Sequence, residues 1–468
     1  MSAEYVLGVD IGTTSVKVNL IDISTKKPIA RQTKDTRADC PSELGPAAGN
    51  KQDAARIASA FHGCVSRLPR DKLKLITSIG VCGQMHGVVL WKQGSAWGYQ
   101  GERLELSTQA SGSVSAVYTW QDNRCTPAFL ASLPHPDSHL GMSSGFGIPT
   151  LFWMARNKPE RLEKYNRAGT IMDLIVAMLC QLDEPVMSVQ NAASWGYFNC
   201  VSAQWNKELL QEAGFPVHFL PKVIPAGGVA GTLKQAWLGI PAGTPVGAAL
   251  GDLQCSVFAN LVRPGFDAVM NISTSGQLGF VMQKEFQLEN KLADESISSV
   301  QYFPYFDGQY LAVAASLNGG NSLALFVKIL QQWAQELGFS VPQDKVWTRI
   351  LDLGAAHEST TLEITPTLLG ERHNPEVRGT VSNIDQSNLG LGCVTRALCQ
   401  GIIANLLKMM PKEFLVSHGV DRIVGVGSAL TRNPVLQSEV SKQYALPLEV
   451  LTGGDAALGA GLSRLLHV

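Results

Sequence analysis

The feature that most narrows what this chain can fold into is a small motif met twice. It is a short apolar strand, a turn of Gly, Thr and Ser, and a second apolar strand. Near the start, Tyr5 to Val9 is an apolar run and Asp10-Ile11-Gly12-Thr13-Thr14-Ser15 reads as a turn. Val16-Lys17-Val18-Asn19-Leu20-Ile21 then alternates apolar and polar, as a second strand does. The pattern returns as Val269-Met270-Asn271-Ile272, the turn Ser273-Thr274-Ser275-Gly276, and Leu278 to Met282. Two such units about 260 residues apart point to two related halves.

Between and after them, strands alternate with helices, which argues for α/β architecture. Residues 32–50 read as a loop, 51–68 as a helix, Leu75 to Val81 as a buried strand and Val88 to Trp91 as another. The Gly- and Ser-rich stretch 93–116 reads as mobile. Leu151 to Asn157 and Leu174 to Gln181 read as helices, Val246 to Leu250 as a strand, and Leu253 to Val262 as a helix. Helices are expected near Ser322 to Leu337 and Leu391 to Met410, and a strand at Arg422 to Val426. Gly453-Gly454-Asp455 opens a small-residue helix at the end.

Composition removes several function classes. The 468 residues are 45% hydrophobic and 16% charged, enough apolar material for a sizeable core. A net charge of -1 offers no global basic field, so neither nucleic acid nor an anionic membrane is expected as partner. The nine cysteines are scattered and form no C-x-x-C, which reads as reduced thiols and a cytoplasmic location. The first residues lack the basic and apolar regions of a signal peptide, and no apolar run reaches the ~20 residues of a membrane span.

Four groups could carry chemistry. The first turn offers backbone N–H groups and hydroxyls at one point, which makes a phosphate cradle. Asp10 at its entrance could hold a hydrated Mg²⁺, and Lys17 adds positive charge. The turn around Thr274 is the same kind of object. Asp252, just before a helix, sits where the dipole favours ionisation and where a base could accept a hydroxyl proton. Gln84, His86, Trp120, Gln121, Asp122 and Arg124 supply the amides, charges and aromatic plane that a polyhydroxylated sugar needs. Singly, each also has a structural reading: a plain hairpin turn, a helix cap at Asp252, a core Trp120, an ion pair of Asp122 with Arg124. Gly141-Met142-Ser143-Ser144-Gly145 matches a nucleophile-elbow string but lacks a preceding strand, so a Ser143 hydrolase is the weakest reading.

Together these residues resemble the FGGY family of carbohydrate kinases, within the actin-like ATPase superfamily. Gly8 to Lys17 is similar to the family's first phosphate motif and Asn271 to Gly276 to its second. Gly83-Gln84-Met85-His86-Gly87 and Trp120-Gln121-Asp122-Asn123-Arg124 look like its sugar-side motifs. Gly251-Asp252-Leu253-Gln254 falls at its catalytic aspartate. Val424 to Asn433 looks like the adenosine motif and Ala457 to Ala460 the closing one, while Gly370-Glu371-Arg372 matches a segment read as structural.

The resemblance implies two actin-like (ribonuclease H-like) domains with a cleft between them, residues 1–256 on the sugar and phosphate side and 257–468 on the adenosine side. It implies ATP and Mg²⁺. Thr13, Thr14 and Lys17 would face the β- and γ-phosphates, with Thr274 opposite. Gly320, Gly427 and Asn433 would line the adenosine pocket, and Asp10 would orient Mg²⁺ through water. Gln84, Met85, His86, Trp120 and Asp122 would meet the sugar, and Asp252 would take the proton from its terminal primary hydroxyl. Pro149-Thr150-Leu151-Phe152-Trp153 keeps the frame of one family signature without its lysine. Within the family the chain as a whole looks most like kinases of a seven-carbon ketose, with a pentulose kinase the nearest alternative. A catalytically silent sugar sensor and a chaperone-like ATPase are the other readings. The oligomeric state is not read from these residues.

Overall fold

The computed structural model describes residues 4–45, 48–100, 103–107, 112–288, 299–372, 374 and 376–466. The chain forms two compact units. One comprises Met1–Ala259, Phe303–Gly308 and Asp455–Val468; the other comprises Asn260–Tyr302 and Gln309–Gly454.

The first unit is built on a seven-stranded sheet. Its strands are β1 (Tyr5–Ile11), β2 (Ser15–Asp22), β3 (Pro28–Asp35), β4 (Ile76–Gly83), β5 (Val229–Thr232), β6 (Pro245–Gly247) and β7 (Leu250–Gly251). They lie in the order β5-β6-β4-β1-β2-β3, with β7 also paired to β4. β1 and β2 are antiparallel, with Asp10 opposite Lys17, whereas β1 and β4 are parallel, with Asp10 beside Cys82. β7 runs parallel to β4 and sets Gly251 beside Gly83. The carboxyl ends of β1, β4 and β7 therefore lie side by side, the end at which open α/β sheets place their ligands.

Helices pack on this sheet because their apolar faces need cover. α1 (Ala54–Val65) starts at an Asp53 cap, whose carboxylate accepts the N–H groups of Ala55 and Arg56. α2 (Ile171–Cys180) is buried along its whole length and begins with a capping box between Thr170 and Asp173. α3 (Val189–Trp195) is also almost wholly buried, and α4 (Asp252–Asn260) follows β7 directly.

The second unit has a six-stranded sheet. Its strands are β8 (Asp267–Ile272), β9 (Gly276–Val281), β10 (Val300–Pro304), β11 (Tyr310–Ser316), β12 (Arg422–Val426) and β13 (Leu448–Val450), in the order β10-β11-β9-β8-β12-β13. Its principal helices are α5 (Gly320–Glu336), α6 (Leu391–Met409) and α7 (Pro434–Tyr444). β8 pairs antiparallel with β9, β9 antiparallel with β11, and β8 parallel with β12. β1, β2, β3 and β4 show the same pairing. The repeated hairpin of the sequence is thus the start of a repeated sheet.

The chain ends with α8 (Ala456–Leu462), which lies on the first unit's sheet. It approaches so closely that a Cβ on Gly8 would sit 1.9 Å from the Ala457 carbonyl oxygen, and one on Gly80 1.9 Å from that of Ala460.

Three expectations change. Residues 32–50 are not one loop: β3 runs to Asp35 and Asp39–Cys40 pairs with Lys51–Gln52. β3 is an edge strand with no buried face, so it shows no apolar periodicity to read. The strand expected at Val246 to Leu250 is broken into β6 and β7, because Ser188 and Asn191 take the Ala249 carbonyl out of the sheet at 2.6 and 3.0 Å. Within 93–116, Trp97–Gln100 and Arg103–Leu106 form a hairpin, while 101–102 and 108–111 lie outside the described residues.

Candidate active site

Asp10 lies inside β1, not in the turn, because the β1–β2 ladder extends to Ile11 and Val16. Cross-strand neighbours face one another, so Lys17 Nζ comes within 3.5 Å of Asp10 Oδ2. The other oxygen, Asp10 Oδ1, is buried with no hydrogen-bond partner. Burial pushes the Asp10 carboxyl up to about 6, Lys17 opposing and the Asp455 charge adding to the shift.

The turn after Asp10 is tied by Gly12 N–H to the Ser15 carbonyl at 3.0 Å, which leaves Thr14 exposed. Thr13 is held at two atoms. Its carbonyl accepts from Gln52 Nε2 at 2.7 Å and its hydroxyl accepts from the Trp120 indole at 3.1 Å.

The loop after β4 carries Gln84, Met85 and His86. Gln84 donates its backbone N–H to the Ile11 carbonyl at 3.0 Å, so this loop and the turn at Thr13 leave the sheet together. Its side chain donates to Gln52, while Oε1 is buried and unpartnered. A Cβ on Gly251 would lie 2.7 Å from the Met85 sulfur, which places that thioether against the residue before Asp252. His86 has φ of 74°, a region rarely entered by non-glycine residues and one that clusters at functional sites. Its ring is stacked on Phe146 at 4.4 Å, and its Nδ1 lies 2.8 Å from the Ser194 carbonyl.

Asp252 opens α4. The helix dipole favours an ionised carboxylate, but desolvation outweighs it and pushes Asp252 up to about 7, with the Asp10 charge adding and the Leu253 N–H and Lys17 opposing. Asp10 and Asp252 are therefore two poorly solvated carboxyls, the charge of the first raising the second, the setting in which a carboxylate can accept a proton near neutral pH.

Asp122 takes a different place. It is fully buried and grips Arg124 through both oxygens, at 2.7 and 2.9 Å, while also accepting the Asn50 N–H. Arg124 in turn lies over the Tyr118 and Trp153 rings. This cluster fixes the Trp120 segment from beneath. Ser144 of the elbow-like string donates to the Asp122 carbonyl at 2.8 Å; the stretch is a loop with no strand before it, so Ser143 has no nucleophile elbow.

In the second unit, the turn at Thr274 repeats the first: Ser273 N–H reaches the Ser275 carbonyl at 3.0 Å and Thr274 is exposed. Gly320 and Gly427 come to this turn. A Cβ on Gly320 would lie 2.1 Å from the Ser273 carbonyl, and one on Gly427 2.5 Å from that of Ile272, Gly427 having φ of 90°. Asn433 does not join them through its side-chain oxygen, which caps α7 on the N–H groups of Val435 and Leu436. Glu371 accepts from Ser316, Asn318, Asn405 and the Leu317 N–H, and so fixes the segment leading to Gly320.

Residues that the sequence did not mark also shape the site. Gln52 reaches Thr13. Asp455 accepts from Asn19 at 2.7 Å, caps α8 on the Leu458 N–H, and adds negative charge beside Asp10. Gln190 and Asn191 of α3 hold the backbone before Asp252. None lies in a local pattern that announces it, except Asp455, whose place before a small-residue helix is a capping signal.

The described residues contain no group of three or more His, Cys, Asp or Glu placed to hold a metal ion. Asp10, with its unpartnered buried oxygen, suits a cation that keeps most of its waters. No described helix is long and apolar enough to cross a membrane.

The chain is 47% identical over 471 residues to a sedoheptulokinase of Mus musculus, covering 99% of this chain and 98% of the relative. It is 48% identical to a sedoheptulokinase of Homo sapiens over 98% and 97% of the two chains. Its fold matches the crystal structure of xylulose kinase from Rhodospirillum rubrum with a TM-score of 0.80, at 20% identity, over 99% of this chain and 90% of that one. Residues 5–259 match the model of the N-terminal domain of the FGGY family of carbohydrate kinases. With two sheets of one repeated topology, a Thr-bearing turn on each, and an aspartate pair, Asp10 buried and Asp252 half-buried, at the strand ends, the chain belongs to the FGGY family of carbohydrate kinases.

Proposed function

We propose that this protein transfers the γ-phosphoryl group of ATP to the terminal primary hydroxyl of sedoheptulose, giving sedoheptulose 7-phosphate. The observation that carries the substrate is the identity of nearly one half to two sedoheptulokinases over almost the whole chain. The chemistry rests on Asp252, half-buried and pushed up to about 7 by desolvation and the Asp10 charge.

Asp252 accepts the hydroxyl proton as the sugar oxygen bonds to the γ-phosphorus, and the bond to the ADP oxygen breaks with its electron pair. Lys17 and the N–H groups and hydroxyls of Thr13 and Thr14 hold the phosphates, and Thr274 contributes from the second turn. Gly320 and Gly427, packed against the second turn, line the adenosine pocket, residues 257–468 being the nucleotide side of the chain. Asp10 would hold a hydrated Mg²⁺, which when bound would neutralise phosphate charge. Gln84, Met85, His86 and Trp120 receive the sugar, with Asp122 supporting them through Arg124. The six buried thiols, Cys64, Cys82, Cys125, Cys180, Cys255 and Cys399, support a reducing cytoplasmic setting.

The test is ADP release from Mg-ATP over sedoheptulose, D-xylulose, D-ribulose, L-ribulose and glycerol, with Asp252→Asn beside it. Fastest turnover on sedoheptulose, lost in the variant, is expected. Fastest turnover on a pentulose overturns the substrate and keeps the reaction. Binding without turnover on every sugar makes the protein a sensor.

A further inference from the structure

Three amides and carbonyls of the first unit are joined by hydrogen bonds that run in one sense. Gln84 donates from Nε2 to Gln52 Oε1 at 3.1 Å. Gln52 donates from Nε2 to the Thr13 carbonyl at 2.7 Å, with a side branch to Asp39 Oδ1 at 3.1 Å. Gln52 and Gln84 are both buried, and the chain ends at Gln84 Oε1, a buried acceptor with no partner. With its nitrogen engaged, the open position of Gln84 can only accept. It suits a hydroxyl and excludes a carboxylate.

An amide whose oxygen accepts a hydrogen bond donates more strongly through its nitrogen, because electron density moves from nitrogen to oxygen. Hydrogen bonds in such a row reinforce one another. We propose that Gln52 is a positioning residue that couples sugar binding to the phosphate turn. A sugar hydroxyl donating to Gln84 Oε1 strengthens the bond to Gln52, and through it the hold on the Thr13 carbonyl. Trp120 grips the Thr13 hydroxyl from the sugar-side motif and leaves that hydroxyl's proton for a phosphate oxygen. Thr13 is thus held at both polar atoms by residues that answer to the sugar. The phosphate turn is firmest when an acceptor is present, which disfavours ATP hydrolysis in its absence. This rests on the sugar-kinase assignment above and names how that site is regulated.

The experiment titrates a non-hydrolysable ATP analogue, adenylyl imidodiphosphate, with and without sedoheptulose, by calorimetry. It uses wild type, Gln52→Ala and Asp39→Ala, each checked by a thermal melt. In wild type the sugar tightens the analogue by about tenfold, a usual size for coupling between two ligands. In Gln52→Ala the factor falls to within about twofold of unity, while each ligand alone binds within about threefold of wild type. Asp39→Ala, which loses only the side branch, keeps the wild-type factor. The ratio of sugar-free ATP hydrolysis to sugar phosphorylation rises in Gln52→Ala. Unchanged coupling in Gln52→Ala overturns the proposal, as does an absence of coupling in wild type. So does an equal loss in Asp39→Ala, which makes the effect one of strand packing. Binding is read without turnover, so a wild type that binds both ligands but transfers nothing sinks the kinase reading while this test still decides.

Discussion

Gln190 accepts the backbone N–H of Gly251 through its side-chain oxygen at 3.2 Å, one residue before Asp252. Beside it, Asn191 Nδ2 donates to the Ala249 carbonyl at 3.0 Å. Two side chains from one buried turn of helix therefore set the backbone that aims the proposed base. Replacing Gln190 by Ala leaves a buried N–H unpaired and frees that backbone. We expect kcat to fall by about 30-fold, since misplacement of about 1 Å costs on the order of a hundredfold. The acid limb of the pH profile and the KM for ATP stay in place, which steady-state kinetics across pH will check.

The pH profile itself follows from Asp252. Its carboxyl is raised to about 7, so it is increasingly protonated below that value and cannot accept the sugar proton. We expect kcat/KM for the sugar to fall about tenfold per pH unit on the acid side. Because a nearby cation favours the carboxylate, raising free Mg²⁺ moves that limb to lower pH. A flat profile between pH 5 and 8 would falsify the role of Asp252 as base.

Asp173 gives a stability prediction of the same sign. It is fully buried, Oδ2 accepts from the Thr170 N–H and hydroxyl, and Oδ1 has no partner. Burial raises it from 3.8 to about 7, against the Thr170 bonds that lower it. The folded state therefore holds this proton more tightly than the unfolded one. The stability it contributes is full below the unfolded value and is lost as pH rises through about 7, a change of about 4 kcal/mol. Asp173→Asn keeps the capping oxygen without the charge. We expect its melting temperature to match wild type at pH 4 and to exceed it at pH 8.

The contact between α8 and the first sheet is backbone on backbone. A Cβ on Gly80 would meet the Ala460 carbonyl oxygen at 1.9 Å, and no side chain can move aside to admit it. Gly80→Ala should lower stability by about 3 kcal/mol, the upper end for overpacking, with a matching drop in the urea midpoint. Gly98→Ala, on an open strand with no atom within 4 Å, is the control and should change little.

Much of this protein was legible in its residues. The two Gly-, Thr- and Ser-bearing turns, the Asp252 helix start and the loop at Gln84 are local chemistry. Neighbours in the chain decide them, so they survive reading without a structure. The partner of a buried polar side chain is another matter. Gln52 reads as one polar residue before a helix until the fold brings Thr13 and Gln84 to it from 39 and 32 residues away. Gln190 gains meaning only when Gly251 arrives from 61 residues on. Asp122 and Asn433 carried the right residue types, yet packing engaged both carboxylate oxygens of the first and the side-chain oxygen of the second in internal contacts. Burial likewise overrode the helix dipole at Asp252. The sequence by itself determined which chemical groups were present and in what local order. Tertiary structure decided which were dehydrated, which were already paired and which kept an atom free, because desolvation and long-range hydrogen bonding depend on parts of the chain far apart in sequence.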